Sequence, residues 1–164
     1  MEFLDVVDDD DRVIGKASEK DIYAKRLMHR IVHILIFNDK KEMALQFRSK
    51  HKPFCPHHWS TSVGGRVQSN ESYEKAAMRE YEEELCRKGK LKFAFKDLYV
   101  APDGLRKFLV TFTTAFDGSF KINPEEVERV EFFSLKKIQK MVNHRDKFHP
   151  ELLFLLEKHY GIII

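Results

Sequence analysis

The chain has 164 residues, 43% hydrophobic and 34% charged, which is the length and composition of one globular domain with its own core rather than of a long disordered region. Its 29 basic and 26 acidic side chains leave a net charge of +3 and a pI near 8.8, a mild excess that suits phosphorylated small molecules without making nucleic acid the expected partner. No apolar run approaches the ~18–20 residues of a membrane span, the acidic start "MEFLDVVDDDD" does not resemble an export signal, and two cysteines, Cys55 and Cys86, cannot build a disulfide framework and fit a reducing cytoplasm.

In chain order, "FLDVV" and "RVIGKA" flank the acidic turn Asp8 to Asp11 and read as a short hairpin. "KASEKDIYAKRLMHR" is a polar connection with room for one helical turn. "IVHILIF" (31–37), β-branched and nearly all apolar, is the strongest strand signal and predicts a central position. "NDKK" turns it into a second strand, "MALQFRS", and two prolines mark "HKPFCPHH" as a loop. "WSTSVGG" predicts a strand ending at a glycine pair, and residues 72–88 the best helix of the chain. "LKFAFKDLYVA" and "LRKFLVTFTTAF" are strands joined at "PDG". "VERVEFFSL" is a last strand leading into "KKIQKMV", and "PELLFLLEKHYG" is a closing amphipathic helix. Mostly strands, one helix in the middle and two at the end, give an α+β class with a mixed sheet covered by helices. Strict β-α alternation is absent, which argues against a Rossmann fold.

The middle helix carries the chemistry. Ser72 is placed to cap it, and Glu74 sits in the first turn, favourably for the helix dipole. Ala77, Met78, Tyr81 and Leu85 form its apolar stripe. Four glutamates stand in residues 80–84, and Glu80, Glu83 and Glu84, at i, i+3 and i+4, share one arc beside that stripe. Alone, such a run reads equally well as a solvated helix face, because exposed like charges cost only a few tenths of a kcal/mol. Three carboxylates on one face also suit a hard divalent cation, which takes oxygen ligands. Gly64 and Gly65 just upstream let the backbone bend and approach a ligand closely, so that a carbonyl near Gly65 could face the same cation.

This pattern resembles the signature of the Nudix hydrolases: Gly, five residues, Glu, seven residues, Arg-Glu, an apolar residue, any residue, Glu-Glu, any residue, Gly and an apolar residue. Gly65, Glu71, Arg79, Glu80, Glu83 and Glu84 are in register with it, and Tyr81 fills the apolar position. Cys86 stands where the final Gly is expected and Arg87 where the last apolar residue is expected. With Gly89 available three residues later, the helix is expected to run about one turn past the motif, placing Arg87 and Lys88 near its C-terminus. The stretches "VDDDDRVIGKA", "LMHRIVHILIFN", "QFRS", "WSTSVGG" and "VERVEFFSL" are similar to one branch of that superfamily, which holds the type I isopentenyl-diphosphate isomerases and hydrolases like them.

The resemblance covers nearly the whole chain. It implies a single Nudix domain over residues 1–164, an α/β/α sandwich with an N-terminal hairpin and connection (1–30), the loop and helix of the motif (64–89) and C-terminal helices (135–164). It also implies a Mg²⁺- or Mn²⁺-dependent hydrolase that cleaves a nucleoside diphosphate linked to another group. The metal set would be Glu80, Glu83, Glu84 and the Gly65 carbonyl, with Glu80 or Glu83 helping to activate water, and Glu71 paired with Arg79 to tie loop to helix. Arg48, Lys50 and Arg66 are candidates for substrate phosphates, and Glu125 or Glu126 are alternative bases, although a solvated turn explains that pair as well.

For isomerase chemistry, Gly64 stands at the catalytic cysteine position, Arg66 at a metal histidine and Val67 at a proline. His29 matches another metal histidine, but its earlier partner is Tyr23 and "LRKFLVTF" lacks the glutamate pair. A Nudix fold acting as a non-catalytic binding module is a third reading, against which the intact carboxylates count. Trp59, Met28 and Met43 are expected in the core, and His51, Cys55, His57 and His58 match no usual zinc spacing. "GIII" at the end exposes apolar surface unless it packs on the domain or on a second subunit, which leaves a homodimer open. Substrate identity falls to loops such as 49–58 and 101–107.

Overall fold

A computed structural model describes residues 2–164. The chain opens with strands β1 (Phe3–Val7) and β2 (Val13–Ser18), an antiparallel hairpin, followed by the short helix α1 (Glu19–Ala24). A second, seven-stranded sheet holds β3 (His29–Phe37), β4 (Met43–Arg48), β5 (Trp59–Ser60), β6 (Val63–Arg66), β7 (Lys92–Val100), β8 (Arg106–Ala115) and β9 (Val127–Phe133). Helix α2 (Tyr73–Leu85) interrupts the strands between β6 and β7, and α3 (Leu135–Asn143) and α4 (Pro150–His159) end the chain.

β3 is the central strand. It runs parallel to β8 through nine residue pairs, from His29↔Lys107 to Phe37↔Ala115, and antiparallel to β6 on its other side, with Val32 opposite Gly65 and His33 opposite Gly64. Successive side chains of a strand point to opposite faces, so β3 supplies two cores. Val32, Ile34 and Ile36 join Val110, Phe112, Ala77, Tyr81 and Leu85 beneath α2. Leu35 joins Met43, Leu45, Trp59, Ile138, Leu152 and Leu156 beneath α3 and α4, with Ile31, Leu109 and Leu155 alongside. The result is a helix–sheet–helix sandwich around a mixed sheet.

The predicted strand "WSTSVGG" is two strands. β5 pairs with β4 and β6 pairs with β3, and Thr61–Ser62 cross between them. β3 and β4 meet only at Phe37↔Met43, and Ser62 closes the opening between them: its hydroxyl donates to Ala44 O and accepts from Ile36 N at 2.9 Å. The second strand also continues past the glycines to Arg66.

Helix α2 ends at Leu85, so the expected extra turn is absent and Gly89 does not terminate it. Cys86 itself takes the left-handed conformation (φ 55°, ψ 36°) in which a helix-ending glycine is usual, and its N–H donates to Glu82 O at 3.0 Å. Beyond Leu85 the apolar stripe does not continue, and Arg87, past the end of the helix, places its guanidinium over the Phe116 ring, 3.8 Å from its centroid. At the C-terminus Ile162 packs into the α3–α4 core, whereas Ile163 and Ile164 are exposed and Ile163 exchanges backbone hydrogen bonds with the Gln139 amide. Among the described residues no helix is long and apolar enough to cross a membrane.

Candidate active site at the glutamate helix

Strand β6 delivers the glycine pair to the start of α2, and the loop between them is tied down from outside. Asp5 of β1 accepts from Ser69 Oγ at 2.8 Å and Asn70 N at 3.2 Å, and Glu71 Oε1 accepts from Gln68 N at 3.0 Å. The Ser72 hydroxyl accepts from Lys75 N, capping the helix as its position in the sequence suggests.

Arg79 is the hub. Its Nε donates to Glu71 Oε2 at 2.8 Å and its Nη2 to Glu71 Oε1 and Arg66 O, both at 2.9 Å, so loop, strand end and helix share one guanidinium. The remaining nitrogen, Nη1, lies 2.8 Å from Glu80 Oε1 and 3.4 Å from Glu83 Oε2. Burial pushes Glu71 upward, but the two hydrogen bonds from Arg79 and one from the Gln68 backbone hold it below the usual carboxylate range.

The three motif glutamates differ in environment. Glu83 is half-exposed, Glu80 is largely covered, and Glu84 is 4% exposed. The Glu80 side chain lies flat against Gly65: a β-carbon there would sit 2.3 Å from Glu80 Cδ, so only glycine lets this backbone and this carboxylate meet. On the opposite face, a β-carbon on Gly64 would sit 2.9 Å from His33 Nδ1. Burial raises Glu84 well above the ordinary carboxylate range, and its hydrogen-bonded neighbour Glu80 raises it further. Glu80 is also raised, chiefly by burial.

Two adjacent, desolvated carboxyls, one carrying no cationic partner among the described residues, form an arrangement that a divalent cation would relieve, and their oxygens are the donors that Mg²⁺ or Mn²⁺ takes. The residues therefore fit such an ion. Among the described residues no three acidic, imidazole or thiol groups form a ready-made cage, in keeping with Arg79 holding Glu80 and Glu83.

The other candidates are distributed around this centre. Arg48 shares the α2 face of β4 with Ala44, but its guanidinium donates to the Phe54 and Cys55 carbonyls at 2.8–3.2 Å, shaping the loop 49–58. Lys50 is exposed on that loop. Arg66 pairs with Glu19 at 2.8 Å and Glu2 at 3.2 Å, beside a hollow of about 310 Å³ lined by Glu2, Ser18, Glu19, Lys20 and Tyr23. Glu126 is paired with Lys52 and Glu125 is exposed. His57 pairs with Glu128 at 3.0 Å and stacks on Phe47, while His58 Nδ1 lies 2.7 Å from Pro56 O, so the loop histidines have separate partners. Trp59 and Met43 are buried and Met28 is half-buried.

Two residues that bear on this site carry no signal in the motif. Gln46 reaches Glu84 from β4, and His33 underlies Gly64. Strand alternation places Gln46 on the same face as Ala44, but nothing in one sequence aims that face at a particular glutamate.

The NUDIX domain model matches residues 27–152. An uncharacterized Nudix hydrolase of Yersinia pestis is 31% identical over 153 residues, covering 93% of this chain and 82% of that protein. Another, from Streptomyces coelicolor, is 36% identical over 128 residues, covering 77% and 71%. Among solved structures, the DR0079 protein of Deinococcus radiodurans superposes with a TM-score of 0.84 at 26% identity, covering 97% of this chain and 99% of that one. The NUDIX domain of Shewanella oneidensis NrtR, solved with ADP ribose, gives a TM-score of 0.62 at 17% identity over 88% of this chain and 98% of its own.

Proposed function

The chain belongs to the Nudix family, and from that premise we propose that it is a Mg²⁺- or Mn²⁺-dependent hydrolase cleaving the diphosphate linkage of a nucleoside diphosphate joined to another group. One observation carries the reading: the buried Glu80–Glu84 pair set against Gly65, with no cation on Glu84 among the described residues. Glu80, Glu83, Glu84 and the Gly65 carbonyl would hold the ion, which when bound supplies Lewis-acid charge against the diphosphate. Arg79 keeps Glu71 and Arg66 O as partners whatever Glu80 and Glu83 bind, so the frame of the site stays in place. Glu80 or Glu83 takes the proton of the attacking water, with Glu126 as an alternative base if it leaves Lys52. Arg66, Arg48 and Lys50 are the cations we assign to substrate phosphates.

Within the superfamily, the isomerase-like branch supplies a second comparison. Its reaction needs a cysteine at position 64, where a side chain would collide with His33, and an imidazole at position 66, where a guanidinium stands. Both features favour the hydrolase. Free Cys55 and Cys86 suit a reducing cytoplasm as its place of action.

The test is a Mg²⁺/Mn²⁺ hydrolysis screen over nucleotide sugars including ADP ribose, dinucleotides, nucleoside triphosphates and prenyl diphosphates, run beside Glu83→Gln. Metal-dependent turnover that disappears in the variant is expected. Dimethylallyl diphosphate formed from isopentenyl diphosphate without cleavage would establish the isomerase instead, and metal binding with no turnover on any substrate would favour a binding module.

A further inference from the structure

Gln46 lies on β4, 38 residues from Glu84 in sequence, and is 3% exposed. Its Nε2 donates to Glu84 Oε1 at 2.6 Å and to Ser62 O at 3.1 Å. Ser62 is itself fixed by the Ala44 carbonyl and the Ile36 N–H, so the amide is held on a rail that joins β3 and β4 at the place where the sheet opens. Both hydrogens of the amide nitrogen are used, and its orientation follows from Ser62: a backbone carbonyl can only accept, so the nitrogen faces it and Glu84 Oε1 beside it.

The cations nearby are committed elsewhere. Arg79 serves Glu71, Glu80 and Glu83, and Arg48 serves the Phe54 and Cys55 carbonyls. Among the described residues, the side-chain nitrogen donating to Glu84 is thus a neutral one. A Lys or Arg at that point would cancel the charge of the carboxylate and compete with a divalent ion. An apolar side chain would leave the carboxylate free to rotate. The amide orients it and leaves its charge for another partner.

We propose that Gln46 is a positioning residue that holds Glu84 for the divalent cation and so sets the affinity of the site for the ion. This rests on the metal-dependent reading above. Outer partners of metal ligands typically contribute ~10–100-fold in metal affinity.

The experiment measures binding of Mn²⁺ alone, from the loss of the free-ion electron paramagnetic resonance signal, in wild type, Gln46→Met, Glu84→Gln and the double variant, with thermal unfolding in parallel. Gln46→Met is expected to weaken Mn²⁺ about tenfold or more, and to have no further effect once Glu84 is already Gln. Equal weakening in both backgrounds would mean a general structural role and overturns the proposal, as does an affinity that Gln46→Met leaves unchanged in protein that still carries Glu84. Should Gln46→Met fail to fold, Gln46→Asn, with the amide on a shorter arm, carries the same two expectations. Wild-type protein that binds no Mn²⁺ overturns the metal-dependent reading and this inference together, whereas wild-type binding that Gln46→Met leaves intact overturns the inference alone.

Discussion

Glu84 and Glu151 are equally hidden, each 4% exposed, yet they lie on opposite faces of the sheet in opposite electrostatic states. Beneath α4, Glu151 Oε1 meets His33 Nε2 at 2.9 Å and Oε2 meets Lys107 Nζ at 2.9 Å. Burial pushes that carboxyl up, but the His33 hydrogen bond and the Lys107 charge overcome it and hold Glu151 well below the usual range. Beneath α2, Glu84 has a neutral amide and another carboxyl for neighbours, and burial raises it. A buried charge is tolerable when its counter-charge is built in. Glu151 has one and pins α4 to the sheet, and Glu84 lacks one among the described residues, as the proposed metal site requires.

The largest effect that could break this contrast is on the α4 side. Glu151→Gln leaves Lys107 buried against a neutral group and should cost ~3–5 kcal/mol of stability, read from urea unfolding. A loss under ~1 kcal/mol would mean that the network does not bear on the fold. On the α2 side, Glu84→Gln should lower metal-dependent turnover at least ~100-fold while metal-free stability holds or rises, because the change removes a carboxyl from a crowded pair. A variant that is markedly destabilised yet keeps full specific activity while folded would make Glu84 a structural residue like Glu151.

A third comparison uses pH. Burial depresses His29 to about 4 and His149 to about 3, and around His149 the Arg48, His33 and Lys107 charges add to this while Glu151 opposes it. Both stay neutral in the folded protein as the unfolded chain takes up protons, so their contribution to stability is whole above pH 6.5 and is lost as pH falls toward those values. Each such proton steepens the loss by ~1.4 kcal/mol per pH unit. His149→Asn, which can still cap α4, should remove one proton from that slope. The glutamate pair acts in the other direction: because Glu80 and Glu84 are raised above 4.5, metal-free stability should decline as pH rises past that value. Added Mn²⁺ should reverse the decline, as unfolding curves from pH 4 to 8 would record.

The smallest effect concerns the end of α2. Cys86→Gly should stabilise the protein by ~1 kcal/mol, because glycine adopts the left-handed conformation without the β-carbon penalty. An unchanged or lower unfolding midpoint would mean that the Cys86 side chain contributes contacts that offset the strain.

Legibility followed sequence distance. The N-terminal hairpin, the Ser72 cap and the Arg79–Glu71 pair all join residues within about fifteen positions, where period, turn chemistry and capping act directly. "IVHILIF" reads as a central strand from its apolar run, and it is one. The division of "WSTSVGG" was not legible, because Thr61 and Ser62 leave the strand only where β3 and β4 part, a property of the sheet and not of those residues. The early end of α2 is no more legible: Cys86 takes the left-handed conformation there, and Arg87 lies over Phe116, which comes from another strand end.

By itself the sequence determined the α+β order of elements, the family signature, and three carboxylates on one side of one helix, because spacing along a helix is fixed by its geometry. Only the tertiary structure decided that these three are unequal. Glu83 faces solvent, Glu80 lies on Gly65, and Glu84 is closed in against Gln46, because exposure and charge compensation come from what the rest of the chain packs against the helix. The same holds for His33, which the sequence offers as one polar residue in an apolar strand. The fold gives it Thr61 on one side and Glu151, 118 residues away, on the other.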